Sequence, residues 1–375
     1  MTAIDHCPGH RERSAQPDTE ELFPDAGFRA LRHALEQCPR YAPTPLLGHD
    51  DSEGRIAGIL LKDERARLGL GTFKALGGTW AVLEEVRQAL VRRTGERVPA
   101  DVLPQAAGRF PDLEVITASS GNHGRAVAAG ARLAGVACRI LLPAATSMSR
   151  VAAVEGLGAR VERVAADYDE VVAEAGRRAA DPGVLYVPDT DVHGATETVA
   201  RVMTGYGMIL DEAVDQARAA GWPAPTHLFV QAGVGGLAGA LAVRAARLPE
   251  AQRPRLVVVE PAGAAGLMAS VRAGRATRRP GPVDSGLTGL DCAEASPLAF
   301  RVLSRCADHF IAVPDSAAER SAADLAQSSL AVETTPTGAA GLAGLEAVLD
   351  DPALARQLAL DRDSMVLAVI TETRP

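Results

Sequence analysis

The stretch Leu113-Glu114-Val115-Ile116-Thr117-Ala118-Ser119-Ser120-Gly121-Asn122-His123-Gly124 decides the fold. An apolar run of strand length ends in small hydroxyl and glycine residues. From residue 122 to 134 the apolar positions then recur at helical spacing. The alternation continues with strand 138–142, helix 147–157, strand 160–164, helix 168–180 and strand 184–187. Short β-rich runs separated by helices predict right-handed βαβ units and a parallel sheet.

Upstream, residues 56–62 read as a strand. Residues 73–93 carry Phe73, Leu76, Trp80, Val82, Leu83, Val86 and Leu90 at helical spacing. Residues 94–110, with Pro99 and Pro104, read as a loop insertion, and 1–25 as a flexible or draped arm. Downstream come a long helix at 197–220, strand 227–231, helix 235–247, strand 255–260 and helix 264–273. A basic loop at 274–282 leads to helices near 297–306, 315–328, 336–349 and 352–360, and to a strand at 365–371. The fold class is α/β, with two blocks of parallel sheet, one nested inside the other.

At 375 residues the chain is long enough for two domains and a large core. A formal charge of −8 with scattered Lys and Arg argues against a nucleic-acid or anionic-membrane partner. Cys7, Cys38, Cys138, Cys292 and Cys306 are irregularly spaced and give neither a disulfide framework nor a zinc pattern, so no metal is expected. A reducing cytoplasm is the simplest compartment. No apolar run has membrane length, and residues 1–22 lack the apolar centre of a signal peptide.

Three segments carry chemistry. In Lys62-Asp63-Glu64-Arg65-Ala66-Arg67-Leu68-Gly69-Leu70-Gly71-Thr72-Phe73-Lys74-Ala75-Leu76-Gly77-Gly78, Lys74 lies where a glycine-bearing turn becomes a helix. Apolar neighbours would desolvate it and free a nucleophilic amine for a Schiff base; a surface lysine in a first helical turn is the bland alternative. Gln231-Ala232-Gly233-Val234-Gly235-Gly236-Leu237-Ala238-Gly239 joins a strand to a helix, where glycines and free N–H groups suit a phosphate. Gly233-x-Gly235-x-x-Ala238, with Glu260 ending the next strand, also suits a dinucleotide, and a ligand-free βα turn stays open. The hydroxyls and amide of residues 117–124 could hold a carboxylate or a ring oxygen, or simply cap a helix. Asp189 and Asp191, past a strand end, are candidate acid–base groups or solvated loop carboxylates.

Together these segments resemble the fold-type II pyridoxal-phosphate enzymes, which include tryptophan synthase β and the serine/threonine dehydratases. Pro43-Thr44-Pro45-Leu46 is similar to that family's usual opening. Within the family, the lysine segment, Ser120-Gly121-Asn122-His123-Gly124, Ala166-Asp167-Tyr168-Asp169, Asp189-Thr190 and Gln231-Ala232-Gly233-Val234-Gly235 are most similar to the diaminopropionate ammonia-lyase branch. The similarity runs from about Tyr41 to Glu372. It leaves the oxidoreductase reading behind, because a dinucleotide explains neither the lysine segment nor Ser-Gly-Asn-His.

The resemblance implies a tryptophan synthase β-like architecture of two parallel-sheet α/β domains with pyridoxal 5'-phosphate between them. Residues 26–112 and 198–375 would form the large domain and 113–197 the small one. A homodimer is implied, with a small amino acid as substrate. Lys74 would form the Schiff base. Gly233, Val234, Gly235, Gly236 and Leu237 would bind the phosphate, Asn122 the ring hydroxyl, and Thr371 the pyridine nitrogen. Phe73 and Ala232 would flank the ring. Ser119, Ser120, Gly121 and His123 would hold the substrate carboxylate, with Tyr168 also at the substrate, and Asp189 would be the catalytic carboxylate. The implied reaction is β-elimination from a 2,3-diaminopropionate-like amino acid, giving a 2-oxo acid and ammonia through aminoacrylate.

Departures qualify the branch. It carries aspartate, handling the D-enantiomer, where this chain has Ser120, so L-selectivity is expected. Ser119-Ser120-Gly121-Asn122-His123-Gly124 is similar instead to serine racemase, which keeps racemisation and serine-type dehydration open. Pro336-Thr337-Gly338-Ala339 and Ile370-Thr371-Glu372-Thr373-Arg374 also depart from the branch and suggest a rebuilt substrate pocket. A β-replacement synthase intercepting the same aminoacrylate is a further alternative, and a decayed, non-enzymatic scaffold the remotest.

Overall fold

A strand apolar at every position needs cover on both faces, and Met365-Val366-Leu367-Ala368-Val369-Ile370 is buried throughout. It is a central strand in the computed structural model. The structure describes residues 4–9, 21–51, 53–99, 102–119, 121–166 and 168–374, with only the backbone of Tyr168 and Asp169. Among the described residues the strands are β1 (Asp5–Pro8), β2 (Leu46–His49), β3 (Gly58–Asp63), β4 (Glu114–Ala118), β5 (Ala137–Pro143), β6 (Arg160–Val164), β7 (Val184–Tyr186), β8 (His227–Gln231), β9 (Arg255–Pro261), β10 (His309–Val313) and β11 (Met365–Ile370). The helices are α1 (Asp25–Glu36), α2 (Lys74–Thr94), α3 (Leu103–Ala107), α4 (Asn122–Ala134), α5 (Met148–Glu155), α6 (Tyr168–Arg178), α7 (Thr196–Ala219), α8 (Gly236–Ala245), α9 (Gly266–Ala273), α10 (Pro297–Cys306), α11 (Asp315–Gln327), α12 (Pro336–Leu349) and α13 (Pro352–Gln357).

The chain divides into two units. The first comprises the described residues of Met1–Glu21, Ala42–Phe73 and Gly207–Pro375. Its sheet runs β1-β10-β9-β8-β11-β3-β2. The five inner strands are parallel, and both edges are antiparallel. Phe229, Val257, Val259, Ile311, Leu345, Val366 and Ile370 pack in its core. Burying each such side chain contributes about 1.5–3 kcal/mol. The helix α12 starts at an N-cap, Thr335, whose hydroxyl accepts from Gly338 N at 3.0 Å, and it packs on β8 and β11.

The second unit comprises Leu22–Tyr41 and Lys74–Tyr206. Its four parallel strands run β6-β5-β4-β7, with Ile116, Leu141, Val171 and Ala175 at the core. The expected division placed 26–112 in the large domain, whereas α1 and α2 group here with β4–β7.

Helix α2 owes its position to glycines that a helix interior otherwise disfavours. A Cβ on Gly77 would lie 2.3 Å from the Tyr206 ring and 2.5 Å from Val202 O, and one on Gly78 would lie 2.7 Å from Ala126 Cβ. Gly77→Ala must therefore displace α2 or Tyr206. We expect a loss of about 1–3 kcal/mol in urea unfolding from this overpacking.

Several elements differ from expectation. Within the arm assigned to residues 1–25, Asp5–Pro8 forms β1 on β10, and residues 10–20 lie outside the described residues. This strand is polar and carries no alternation to read; the Asp5–Arg272 ion pair at 2.5 Å ties it down. The expected loop at 94–110 contains α3, whose Leu103 and Ala107 are buried. Helix α1 and strands β2 and β10 were also unforeseen. The five-residue run of β10 is hidden between two helices, although Pro314 marks its end.

Candidate functional site

The lysine segment opens on structure rather than chemistry. Lys62, Glu64, Arg67 and Glu212 side chains are essentially fully buried together in the first unit. Arg67 donates to both oxygens of Glu64, at 2.7 and 2.8 Å, and to both of Glu212, at 2.8 and 2.7 Å. Lys62 Nζ donates to Glu212 Oε2 at 2.6 Å, Thr44 O at 2.6 Å and Gln216 Oε1 at 2.8 Å. Burial pushes the Lys62 pKa down against the pull of Glu212. Burial likewise opposes ionisation of Glu212, but Arg67 and Lys62 hold its carboxyl below the ordinary range. This network fixes the turn between β3 and Phe73, in which Leu68 has a φ of 49°. Phe73 N then donates to Thr371 O at 2.9 Å, which anchors the residue before Lys74.

Lys74 begins α2, and its Nζ lies 2.7 Å from Asp189 Oδ2. Both side chains are 23% exposed, so the lysine is partly desolvated but paired with a carboxylate. Burial opposes ionisation of Asp189, yet Lys74 foremost, then His123, holds its carboxyl well below the carboxylate range. His123 is buried, with Nε2 2.8 Å from Val187 O. A carbonyl only accepts, so Nε2 carries the proton and Nδ1 is left without a partner. Burial pushes the His123 pKa down. The His123 ring thus holds the backbone two residues before Asp189 through Nε2. The first turn of α4 does present backbone donors, since its N-cap, Gly121, makes no side-chain capping bond. Asn122 opens that turn half-buried, and Ser119 Oγ accepts from Gly121 N at 3.3 Å. Ser120 lies outside the described residues, and Tyr168 opens α6. Asp191 is buried and accepts from Thr196 Oγ1 at 3.1 Å, a structural use that separates it from Asp189.

In the first unit, Gly233, Val234 and Gly235 bridge β8 and α8. Gly235 has a φ of 99° and makes no side-chain cap for α8, and Gly236, Leu237 and Ala238 behind it are buried. A buried helix start without a side-chain cap fits an anion. A Cβ on Gly233 would lie 3.0 Å from Cys292 Sγ and 3.2 Å from Leu290 Cα. Val234 O accepts from Ser296 N at 2.9 Å, and Ala232 N donates to Val259 O at 2.8 Å, which fixes the loop. Thr371, just past β11, is buried, and its hydroxyl accepts from Gln231 Nε2 at 3.2 Å. Glu260 accepts from Leu267 N at 2.7 Å and Met268 N at 2.8 Å. It therefore caps α9, and a ribose would have to displace that cap. Burial pushes its pKa up to about 8.

Three participants had no clear signal in sequence: the Glu212 carboxylate under the lysine segment, Tyr206 against Gly77, and Gln231 beside Thr371. The Gly77-Gly78 pair inside a helix was a mark of close approach. The described residues include no His/Cys/Asp/Glu grouping fit for a metal and no helix long and apolar enough to cross a membrane. No disulfide joins the cysteines among the described residues.

The residues fit pyridoxal phosphate: an amine on a first helical turn, an uncapped glycine loop for a phosphate, and a buried hydroxyl. Residues 38–372 match the family model described as pyridoxal-phosphate dependent enzyme. The chain is 32% identical to diaminopropionate ammonia-lyase of Escherichia coli strain K12 over 95% of its own length and 90% of the relative's. The holo structure of the Escherichia coli diaminopropionate ammonia-lyase superposes with a TM-score of 0.85 at 31% identity, covering 99% of this chain and 94% of that one. The same enzyme in complex with an aminoacrylate–cofactor azomethine intermediate superposes with a TM-score of 0.82 at 31% identity, with the same coverage. With a family model matched over most of its length and an architecture shared with these relatives, the chain belongs to the pyridoxal-phosphate-dependent enzymes of fold type II.

Proposed function

We propose that this enzyme is an ammonia-lyase that eliminates the β-substituent of a small 2,3-diaminopropionate-like amino acid, with preference for the L-enantiomer. The observation that carries the reading is the 2.7 Å contact between Lys74 Nζ and Asp189 Oδ2. An amine and a carboxylate in contact, both partly shielded from water, can pass protons in both directions. Pyridoxal phosphate, when bound, supplies a sink for the electron pair left at Cα. Lys74 is the base that takes the Cα proton. Asp189 keeps the lysine oriented and relays a proton toward the departing β-amine, which leaves poorly unless protonated. The N–H groups of the first turn of α4 receive the substrate carboxylate, with Ser119, Ser120 and Gly121 beside them. His123 contributes its backbone N–H there, while its ring positions Asp189 through Val187. Asn122 would hold the ring hydroxyl and Gly233–Leu237 the phosphate. Phe73 and Ala232 would flank the ring, and Tyr168 would serve the substrate. Released aminoacrylate hydrolyses to a 2-oxo acid and ammonia. The working form is a homodimer.

Asp189→Asn keeps the shape and removes the charge. It is expected to retain the visible absorbance of the bound cofactor while kcat falls by about 10²–10⁴-fold. For the substrate, L- and D-diaminopropionate, serine, threonine and 3-hydroxyaspartate are assayed for ammonia and 2-oxo acid. L-Diaminopropionate is expected to be turned over fastest, and strong turnover of the D-form would sink the reading of Ser120. That serine also favours a second reading, as a serine-type dehydratase or racemase. Serine consumed faster than L-diaminopropionate, or converted to its enantiomer, would establish it.

A further inference from the structure

We propose that Gln231 is a positioning residue that makes Thr371 an obligate hydrogen-bond donor toward the pyridine nitrogen of the cofactor. The proposal rests on the resemblance-based reading of Thr371 as the partner of that nitrogen.

Gln231 ends β8 and Thr371 follows β11, its parallel neighbour in the sheet. The Gln231 Nε2 atom lies 3.1 Å from Thr337 O, 2.9 Å from Gly338 O and 3.2 Å from Val369 O, as well as 3.2 Å from Thr371 Oγ1. Three of those four neighbours are carbonyl oxygens, which only accept. An amide oxygen in that place would face all three, so the nitrogen is fixed there by chemistry. An amide nitrogen has protons to give and no lone pair to offer. Whichever acceptors its two protons choose, the Thr371 hydroxyl cannot spend its own proton on Gln231.

Thr371 is 2% exposed, and its hydroxyl makes no other hydrogen bond among the described residues. Its proton is thus committed to an acceptor that the described residues do not provide, as buried hydroxyl protons demand. An unprotonated ring nitrogen is such an acceptor. A protonated one would need the hydroxyl's second lone pair and would strand the hydroxyl proton in the interior. The other end of the amide shows that this arrangement is not free. Gln231 Oε1 is buried without a partner, against Gly341, where a Cβ would approach it to 2.7 Å. A purely apolar side chain would avoid that cost but would lose the donor.

The test uses full-length holoenzyme reconstituted with pyridoxal phosphate labelled with ¹⁵N in the ring. Gln231→Met keeps length and volume and removes the donor. The freed Thr371 hydroxyl is then expected to turn toward the stranded carbonyls. The ring ¹⁵N resonance should move toward that of a pyridine without a donor. A fall in kcat of about tenfold, the worth of one hydrogen bond, should accompany it, with KM changed less than about twofold. Thr371→Val should give the same resonance, the double variant no more, and Thr371→Ser the wild-type resonance. If Gln231→Met leaves the resonance in place while Thr371→Val moves it, the role of Gln231 is refuted and that of Thr371 stands. If Thr371→Val also leaves it in place, the reading of Thr371 itself is wrong. Should Gln231→Met fail to fold, neutron diffraction from the wild-type holoenzyme decides. A Thr371 hydroxyl deuteron directed at the ring nitrogen supports the proposal, and one directed at any protein oxygen overturns it.

Discussion

Lys74→Ala is expected to give a folded protein that stays colourless with pyridoxal phosphate and turns over amino acids at least about 10³-fold more slowly. Folding should survive, because Lys74 is 23% exposed and the Asp189 carboxylate it leaves behind is equally open to water. Protein-bound colour should not survive removal of unbound cofactor, because the carbon–nitrogen double bond to the lysine is the covalent link that retains it. Absorbance spectra and circular dichroism of the reconstituted variant separate the two effects. A small primary amine added to the variant is expected to restore part of the turnover, since it can replace the missing nitrogen as base. Wild-type protein that remains colourless with the cofactor would refute the assignment of Lys74 outright.

The second large effect lies in the buried network beneath the same segment. Glu212→Ala removes the carboxylate that takes protons from both Arg67 and Lys62, leaving two enclosed cations against Glu64 alone. Breaking a buried charge cluster on one side costs about 3–5 kcal/mol, which urea unfolding would register as a large drop in midpoint. The acid limb gives an independent check. Glu212 has a folded pKa below its unfolded one. Its stabilisation is therefore present above the unfolded value of about 4.3 and is lost as pH falls through the folded value. Glu212→Gln should flatten that limb. A variant as stable as wild type and as steep in acid would show that the network contributes nothing.

How much was legible in sequence depends on range. The strands β6 and β8 and the helices α4, α10 and α12 have the bounds their patterns predict, because apolar period and turn residues are local signals. Lys74 and the glycine loop were legible for the same reason: each is a contiguous set of residues at a strand or helix end. Edge strands β1 and β2 escaped because they lean on one partner each and need no apolar alternation. The Lys62–Glu212 pair escaped because 150 residues separate its members. The role of Gln231 could not be read at all without the three carbonyls that orient its amide. The His123 ring contact with Val187 O escaped for the same reason, since 64 residues separate the two.

The strand order of the larger sheet has a consequence for synthesis on the ribosome. Among the described strands β11 emerges last, yet it is inserted between β3 and β8. Until it arrives, two largely buried strands have open edges and no shared partner. The nascent chain must therefore carry an unfinished first sheet, while β4 to β7, contiguous in sequence, can already close. Chains released before Met365 should accumulate as aggregates or chaperone clients, with the smaller unit protected from protease and the larger one degraded.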